Sequence, residues 1–183
     1  MSKGRSARNL PARLKRKARA IRLLILDVDG VLTDGGIVIN DRGEESQRFD
    51  VRDGQGIKLL QDNGIAVTLI TGRFSKAVSH RARDLGIRIV YQRVRNKLKA
   101  YAKLKAKTGC QDGEVAFVGD DLADLALLRQ VGLAITVEDG WKELKPRVDY
   151  VTQHKGGRGA VREVAELLLK AQGKWRQLFS DRF

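Results

Sequence analysis

Asp27 and Asp29 stand one residue apart at the end of the apolar run Leu23-Leu24-Ile25-Leu26, with Gly30 and Thr33 following. Two carboxylates so placed can share a reaction, one attacking as a nucleophile while the other gives and takes a proton. Three further groups suit the same substrate. Thr71-Gly72 closes a second apolar run, Asp120-Asp121 closes another, and Lys97 opens a helical pattern between them. A phosphate monoester calls for this set. Asp27, Asp120 and a backbone carbonyl offer hard oxygen ligands to Mg²⁺, which keeps places for water and a phosphate oxygen. Lys97 and the Thr71 hydroxyl suit the equatorial oxygens of the transition state, with Asp27 as the attacking carboxylate and Asp29 as acid and base.

The elements that must position these residues alternate along the chain. Arg22 to Leu26 reads as a buried parallel strand that delivers Asp27 and Asp29 to its carboxyl end, where open α/β sheets bind ligands. Short β-prone segments at 37–40 and 44–51, joined by Asn40-Asp41-Arg42-Gly43, predict a hairpin. Asp53-Gly54 leads into a helix that stops at Asn63-Gly64. Strands are then expected at 65–70, 87–91, 115–118, 133–136 and 150–151, separated by helices at 75–84, 96–107 and 122–131, with an amphipathic helix over 160–171. This order predicts an α/β fold with a Rossmann-like, mostly parallel sheet, helices on both faces, a hairpin insertion after the first strand and no cap domain. The organisation is a basic arm over 1–20, with 1–9 disordered and a short helix after Pro11, one domain over 21–171, and a tail over 172–183.

Composition narrows the setting. The 183 residues suit one domain, and 42% apolar content supplies a core. No apolar run reaches the ~20 residues of a membrane span, and the basic N-terminus lacks a secretory apolar segment, so a soluble, cytoplasmic protein is expected. The lone Cys110 can form no internal disulfide, and neither it nor His80 or His154 has partners at catalytic or ligand spacing. Of the net charge of +14, nine basic residues and no acid fall in 1–22, leaving 27 basic against 22 acidic residues, or +5, for the rest. The excess is local, and its simplest reading is a solvated arm.

In their order, Asp27-x-Asp29-Gly30-Val31-Leu32-Thr33, Thr71-Gly72-Arg73, Lys97 and Gly119-Asp120-Asp121-x-x-Asp124 resemble the four motifs of the haloacid dehalogenase superfamily. Only 44 positions separate the first two motifs and 26 the next two, which leaves no room for a cap domain. From Arg22 to Ala171 the chain resembles the 3-deoxy-D-manno-octulosonate 8-phosphate phosphatases. The shared stretches include Phe49-x-Val51-x-Asp53-Gly54-x-Gly56-Ile57, Tyr91-Gln92 before Asn96-Lys97, Asp149-Tyr150-Val151-Thr152 and Gly156-Gly157-Arg158-Gly159-Ala160-Val161-Arg162-Glu163.

That resemblance implies Mg²⁺-dependent hydrolysis through an aspartyl-phosphate, in lipopolysaccharide precursor synthesis. It implies Asp27, Asp120 and the backbone carbonyl of Asp29 as metal ligands, with Asp121 and Asp124 supporting the metal through water. Gly72, Arg73 and Arg158 are implied as substrate-binding. It further implies a homotetramer joined through the hairpins, with the glycine-rich tail and Arg158 reaching a neighbouring site. Two positions depart from the family: Arg93 stands where Gly usually follows the Tyr-Gln pair, and Val137-Glu138-Asp139-Gly140 is unusually acidic.

Other readings remain open on the residues alone. A related phosphatase could act on another sugar or sialic-type acid phosphate. A non-catalytic phospho-acceptor domain would share the carboxylates and lysine but would need neither Asp29 nor Thr71-Gly72. A nucleic-acid-binding module would rest on the basic arm alone, and aromatics are only 5% of the chain, too few for a stacking platform.

Overall fold

The computed structural model describes residues 10–180, so the expectation of disorder over 1–9 lies outside the described residues. The elements are α1 (Ala12–Ala20), β1 (Leu23–Leu26), the hairpin strands β2 (Val38–Ile39) and β3 (Glu45–Ser46), α2 (Val51–Asp62), β4 (Ala66–Ile70), α3 (Lys76–Asp84), β5 (Ile89–Tyr91) and α4 (Lys97–Thr108). They continue with β6 (Val115–Val118), α5 (Leu125–Leu128), β7 (Leu133–Thr136), β8 (Tyr150–Val151), α6 (Ala160–Ala171) and α7 (Gln177–Ser180).

All four residues of β1 are buried, and the strand lies inside a six-stranded sheet of order β5-β4-β1-β6-β7-β8 in which every pairing is parallel. Alternation along β1 divides the core: Leu24 and Leu26 join the cluster with Ile57, Leu60, Val164 and Leu168, while Leu23 and Ile25 join Tyr101, Leu104 and Phe117 on the other face. The chain leaves β1 for β4 and β5 on one side and then returns to β6 on the other. The switch point therefore lies at the carboxyl ends of β1 and β6, where such sheets bind ligands.

Several boundaries differ from those the sequence suggests. The hairpin strands are shorter, and α2 starts at Val51 instead of after Asp53-Gly54, because the Asp50 side chain accepts from the Arg52 N–H and caps it. Gly54 and Gly56 thus lie inside a helix, and a Cβ on Gly56 would meet the Arg162 Cα at 3.0 Å, so the glycine permits a close α2–α6 crossing. The single helix expected over 122–131 is instead a 3₁₀ turn, Leu122–Asp124, followed by the one-turn α5. Beyond α6, Trp175 packs against the core and faces the Arg162 guanidinium and the Lys170 ammonium before α7.

Two tertiary ties fix the ends of the domain. Leu14 and Ala18 of α1 are buried in the core beside α6, and Lys17 reaches Asp149 at 2.6 Å. Asp53, buried in α2, accepts the Arg162 N–H at 2.8 Å and the Gly159 N–H at 3.2 Å, so a side chain of one helix serves the N-terminus of another. Burial pushes its carboxyl up to about 6 against the pull of those two donors. Asp53→Ala strands both N–H groups and should cost about 2 kcal/mol in chemical denaturation, whereas Asp53→Asn keeps an acceptor and should cost less.

Candidate active site

Strand register brings three sequence groups to one level. Leu26 pairs with Leu69 and with Val118, and the Asp27 N–H continues the ladder to the Val118 carbonyl at 3.0 Å. Asp27, Thr71 and Asp120 therefore emerge together at the carboxyl edge. The loop after β1 folds tightly: the Leu32 and Thr33 N–H groups both return to the Val28 carbonyl, and Gly30 adopts φ +82°. A Cβ on Gly30 would lie 2.1 Å from Asp120 Oδ2, so only glycine lets the carboxylate that follows β6 close against the loop after β1.

Lys97 enters from the side. Asn96 caps α4 by accepting the Lys99 N–H, which fixes Lys97 as the first helical residue, and its ammonium is buried. Its Nζ lies 2.7 Å from Asp27 Oδ2 and 2.5 Å from Asp124 Oδ1. Asp124 is fully buried, and its other oxygen accepts the N–H groups of Asp120 at 2.9 Å and Asp121 at 3.2 Å. That backward reach of Asp124 explains the tight 3₁₀ turn in place of a regular helix start.

Oxygens of Asp27, Asp120 and Asp124 all lie within 4.8 Å of one another. One ammonium faces these three carboxylates, an excess of negative charge in a place with little water. Burial, which the Lys97 charge partly offsets, pushes Asp27 up to about 6. Burial together with repulsion from Asp27 and Asp124 pushes Asp120 up to about 8. Burial works against the Lys97 charge, yet the attraction of Asp27 and Asp124 prevails and holds it above the usual lysine range. A hard divalent cation fits this donor set: it would relieve the repulsion among the carboxylates, and carboxylate oxygens are its preferred ligands.

Asp29 faces a different set of partners. Its Oδ1 accepts from Gln47 Nε2 at 3.0 Å and its Oδ2 from the Thr71 hydroxyl at 3.4 Å, with Arg73 Nε 3.9 Å away. Asp27 and Asp29 thus have different partners, one beside the ammonium and the carboxylate cluster, the other between the neutral donors Gln47 and Thr71 with the Arg73 guanidinium at a longer distance. Arg73 is also bound by Glu45 of β3, Nη2 to Oε2 at 2.6 Å. Gly72 leaves space, its nearest foreign atom being the Val94 carbonyl at 3.8 Å from an added Cβ.

Two expected residues lie at the margin. Asp121 is exposed, and its carboxylate accepts the Leu122 N–H at 2.7 Å, capping its own turn. Arg158 is exposed on the rim, 3.6 Å from Asp34, which Arg48 also contacts. The glycine-rich stretch around it packs under the loop of its own chain: the Gly157 N–H reaches the Val31 carbonyl at 2.9 Å, and a Cβ on Gly156 would lie 1.7 Å from the Gly30 carbonyl oxygen.

A model of haloacid dehalogenase-like hydrolases matches residues 87–164. The 3-deoxy-D-manno-octulosonate 8-phosphate phosphatase of Escherichia coli K12 is 52% identical over 158 residues, which cover 86% of this chain and 84% of that protein. The chain belongs to the family of 3-deoxy-D-manno-octulosonate 8-phosphate phosphatases. Solved structures of the family agree in fold. The Yersinia pestis enzyme superposes with a TM-score of 0.90 at 48% identity, covering 91% of this chain and 90% of that one. The Moraxella catarrhalis enzyme, solved with magnesium, phosphate and the sugar acid, gives 0.89 at 42% identity, covering 92% and 97%.

Against this family background Arg93 has a physical reading. It is the one non-glycine at positive φ (57°) among the described residues, at the position where the sequence resemblance predicts a Gly. The left-handed backbone costs a side chain about 1–2 kcal/mol. Stacking of its guanidinium 4.5 Å from the Phe74 ring returns part of that. Sequence reasoning missed Glu45 and Gln47. Their signal was the i, i+2 spacing on a predicted strand, which in a hairpin reads equally well as a solvent face.

The raised carboxyls set a pH dependence. In the metal-free protein, groups with pKa raised on folding stabilise it fully below their unfolded value near 4, and this contribution is lost as pH rises through about 6 for Asp27 and about 8 for Asp120. Metal binding needs the ionised forms, so the Mg²⁺-induced rise in Tm should grow between pH 5.5 and 8.5 while the Tm of the metal-free protein falls. Scanning calorimetry with Mg²⁺ and with chelator checks both trends.

Proposed function

We propose that this chain hydrolyses the phosphate monoester of 3-deoxy-D-manno-octulosonate 8-phosphate to the free sugar acid and phosphate, with Mg²⁺ and an aspartyl-phosphate intermediate, in lipopolysaccharide precursor synthesis. The observation that carries this reading is the meeting of Asp27, Asp29, Thr71, Lys97 and Asp120 at one sheet edge in a chain 52% identical to a phosphatase of that ester. Asp27 and Asp120, with the backbone carbonyl of Asp29, would hold the metal, supported by Asp121 and Asp124. Bound there, Mg²⁺ would neutralise charge between the carboxylates and the phosphate dianion.

The chain's own residues then divide the reaction. Asp27 is held at both oxygens, by the Val28 N–H at 2.7 Å and by Lys97, which fixes its direction of attack. Its carboxylate adds to phosphorus as the ester P–O bond breaks, and Asp29 gives its proton to the departing sugar alkoxide. Asp29, now ionised, takes a proton from a water molecule whose oxygen attacks the aspartyl-phosphate. Phosphate leaves and Asp27 is regenerated. Lys97 and Thr71 stabilise the charge that spreads over the phosphoryl oxygens.

Specificity rests on charge at the rim. Arg73 beside Asp29 and Arg158 beyond it suit the carboxylate of a sugar acid, which pairs with a guanidinium through two parallel hydrogen bonds. Among the described residues no cap covers the site, and the hairpin presents Ile37, Val38 and Ile39 at 49%, 64% and 62% exposure. Such a patch supports assembly through the hairpins, as a homotetramer in which Arg158 serves a neighbouring site. Among the described residues no helix is long and apolar enough to cross a membrane, which supports a cytoplasmic enzyme acting on a small molecule.

Asp27→Asn should reduce Mg²⁺-dependent phosphate release to background without changing the circular dichroism spectrum. A release assay over a panel of sugar phosphates, with Mg²⁺ and with chelator, should rank 3-deoxy-D-manno-octulosonate 8-phosphate first. Wild-type turnover by Asp27→Asn would remove the nucleophile, and a higher kcat/KM on another ester would reassign the substrate.

A further inference from the structure

The hairpin has an inner face that no assigned role explains. Along β3 and its continuation, Ser46 and Arg48 point outward and are exposed, while Glu45 and Gln47 turn inward and are half-buried. Both inward residues end on functional groups. Gln47 places its amide NH₂ 3.0 Å from Asp29 Oδ1, and Glu45 places Oε2 2.6 Å from Arg73 Nη2. The Gln47 amide turns its NH₂ to an oxygen of Asp29 that accepts, which leaves the other oxygen to carry the proton when Asp29 acts as acid.

The arrangement is kept at a cost. Gln47 Oε1 and Glu45 Oε1 are both buried and have no hydrogen-bond partner. A buried unpaired acceptor costs about 1–3 kcal/mol, and a strand made only to pair with β2 would not carry two of them side by side. The contacts that each side chain does make are therefore the ones the hairpin is built around.

We propose that β3 is a positioning element of the active site, with Gln47 fixing the carboxyl of Asp29 against the leaving group and Glu45 fixing the guanidinium of Arg73 for the substrate's carboxylate. This rests on the acid–base role given above to Asp29. With Thr71 on one oxygen and Gln47 on the other, the Asp29 side chain is held from two sides, from β4 and from the hairpin. Proton delivery to an alkoxide tolerates little misplacement. Arg73 is 41% exposed and would otherwise sample many rotamers; the Glu45 contact uses one edge and leaves other N–H groups for a ligand.

The test uses leaving-group dependence, because kcat/KM reports steps up to departure of the leaving group, and p-nitrophenolate departs without a proton whereas a sugar alkoxide needs one. In the full-length protein with Mg²⁺, Gln47→Leu should lower kcat/KM on 3-deoxy-D-manno-octulosonate 8-phosphate by about 10–100-fold and on p-nitrophenyl phosphate by less than about 3-fold. Gln47→Lys, which keeps an N–H donor, should restore the first value to within about 3-fold. Glu45→Ala should raise KM for the sugar acid phosphate about 10-fold and leave glucose 6-phosphate unchanged. Equal losses on both esters for Gln47→Leu, no rescue by Gln47→Lys, or equal KM changes for Glu45→Ala would overturn the proposal. Asp29→Asn separates the two readings. If it shows the leaving-group dependence and Gln47→Leu does not, β3 has no positioning role; if Asp29→Asn lacks it as well, the acid–base assignment falls first.

Discussion

A single buried ammonium facing three carboxylates governs this site. Lys97 can balance only one of Asp27, Asp120 and Asp124, and the fold answers with dipoles: the Val28 N–H on Asp27, and the Asp120 and Asp121 N–H groups on Asp124. Removing one partner from a buried ion pair typically costs about 3–5 kcal/mol, so Lys97 and Asp124 hold each other in place whether or not substrate is present. The excess is felt at Asp120, the carboxyl without such support, which burial and the charges of Asp27 and Asp124 push up to about 8. This excess of carboxylates over cations suits a divalent cation and, through it, a dianionic phosphate.

The metal-side geometry was legible in the sequence because it depends on strand ends, and strand ends depend on apolar runs. Leu23–Leu26, Ala66–Ile70 and Val115–Val118 announce themselves by hydrophobicity, and the polar residues that follow must share an edge once the strands are parallel and in register. The helix over 160–171 was equally readable from its apolar face. The role of Asp124 was not: the motif placed it near the metal, but its reach back to Lys97 and two backbone N–H groups depends on a 3₁₀ turn that periodicity does not reveal. Glu45 and Gln47 were hidden for a related reason, since a two-residue strand gives no pattern to say which face meets the protein. The positive φ of Arg93 was foreshadowed only by a glycine expected in its place.

The hairpin shows how a domain with no cap can divide its surfaces. Alternation along the strand sends one set of side chains to the catalytic residues, while the turn-proximal Ile37, Val38 and Ile39 stay outside as an apolar patch. One short insertion thus bears on both the chemistry and the outer surface. The basic leader is different: the inner side of α1 is committed to the core through Leu14 and Ala18, and its outer side carries Lys15, Arg16 and Arg19 with no apolar residue larger than alanine. Such a face can interact by charge but has nothing to insert into a membrane.

The close contact of Gly156 with the Gly30 carbonyl has a consequence in time. These residues lie 126 positions apart, and contacts of such separation form late because a long loop must close before they contribute. The loop bearing Asp29 therefore has its supporting surface in a part of the chain far from it in sequence. Only when the glycine-rich stretch arrives, anchored through Asp53 to the start of α6, is that loop held from beneath. The acid–base side of the site is therefore complete only with the segment that leads into α6 in place.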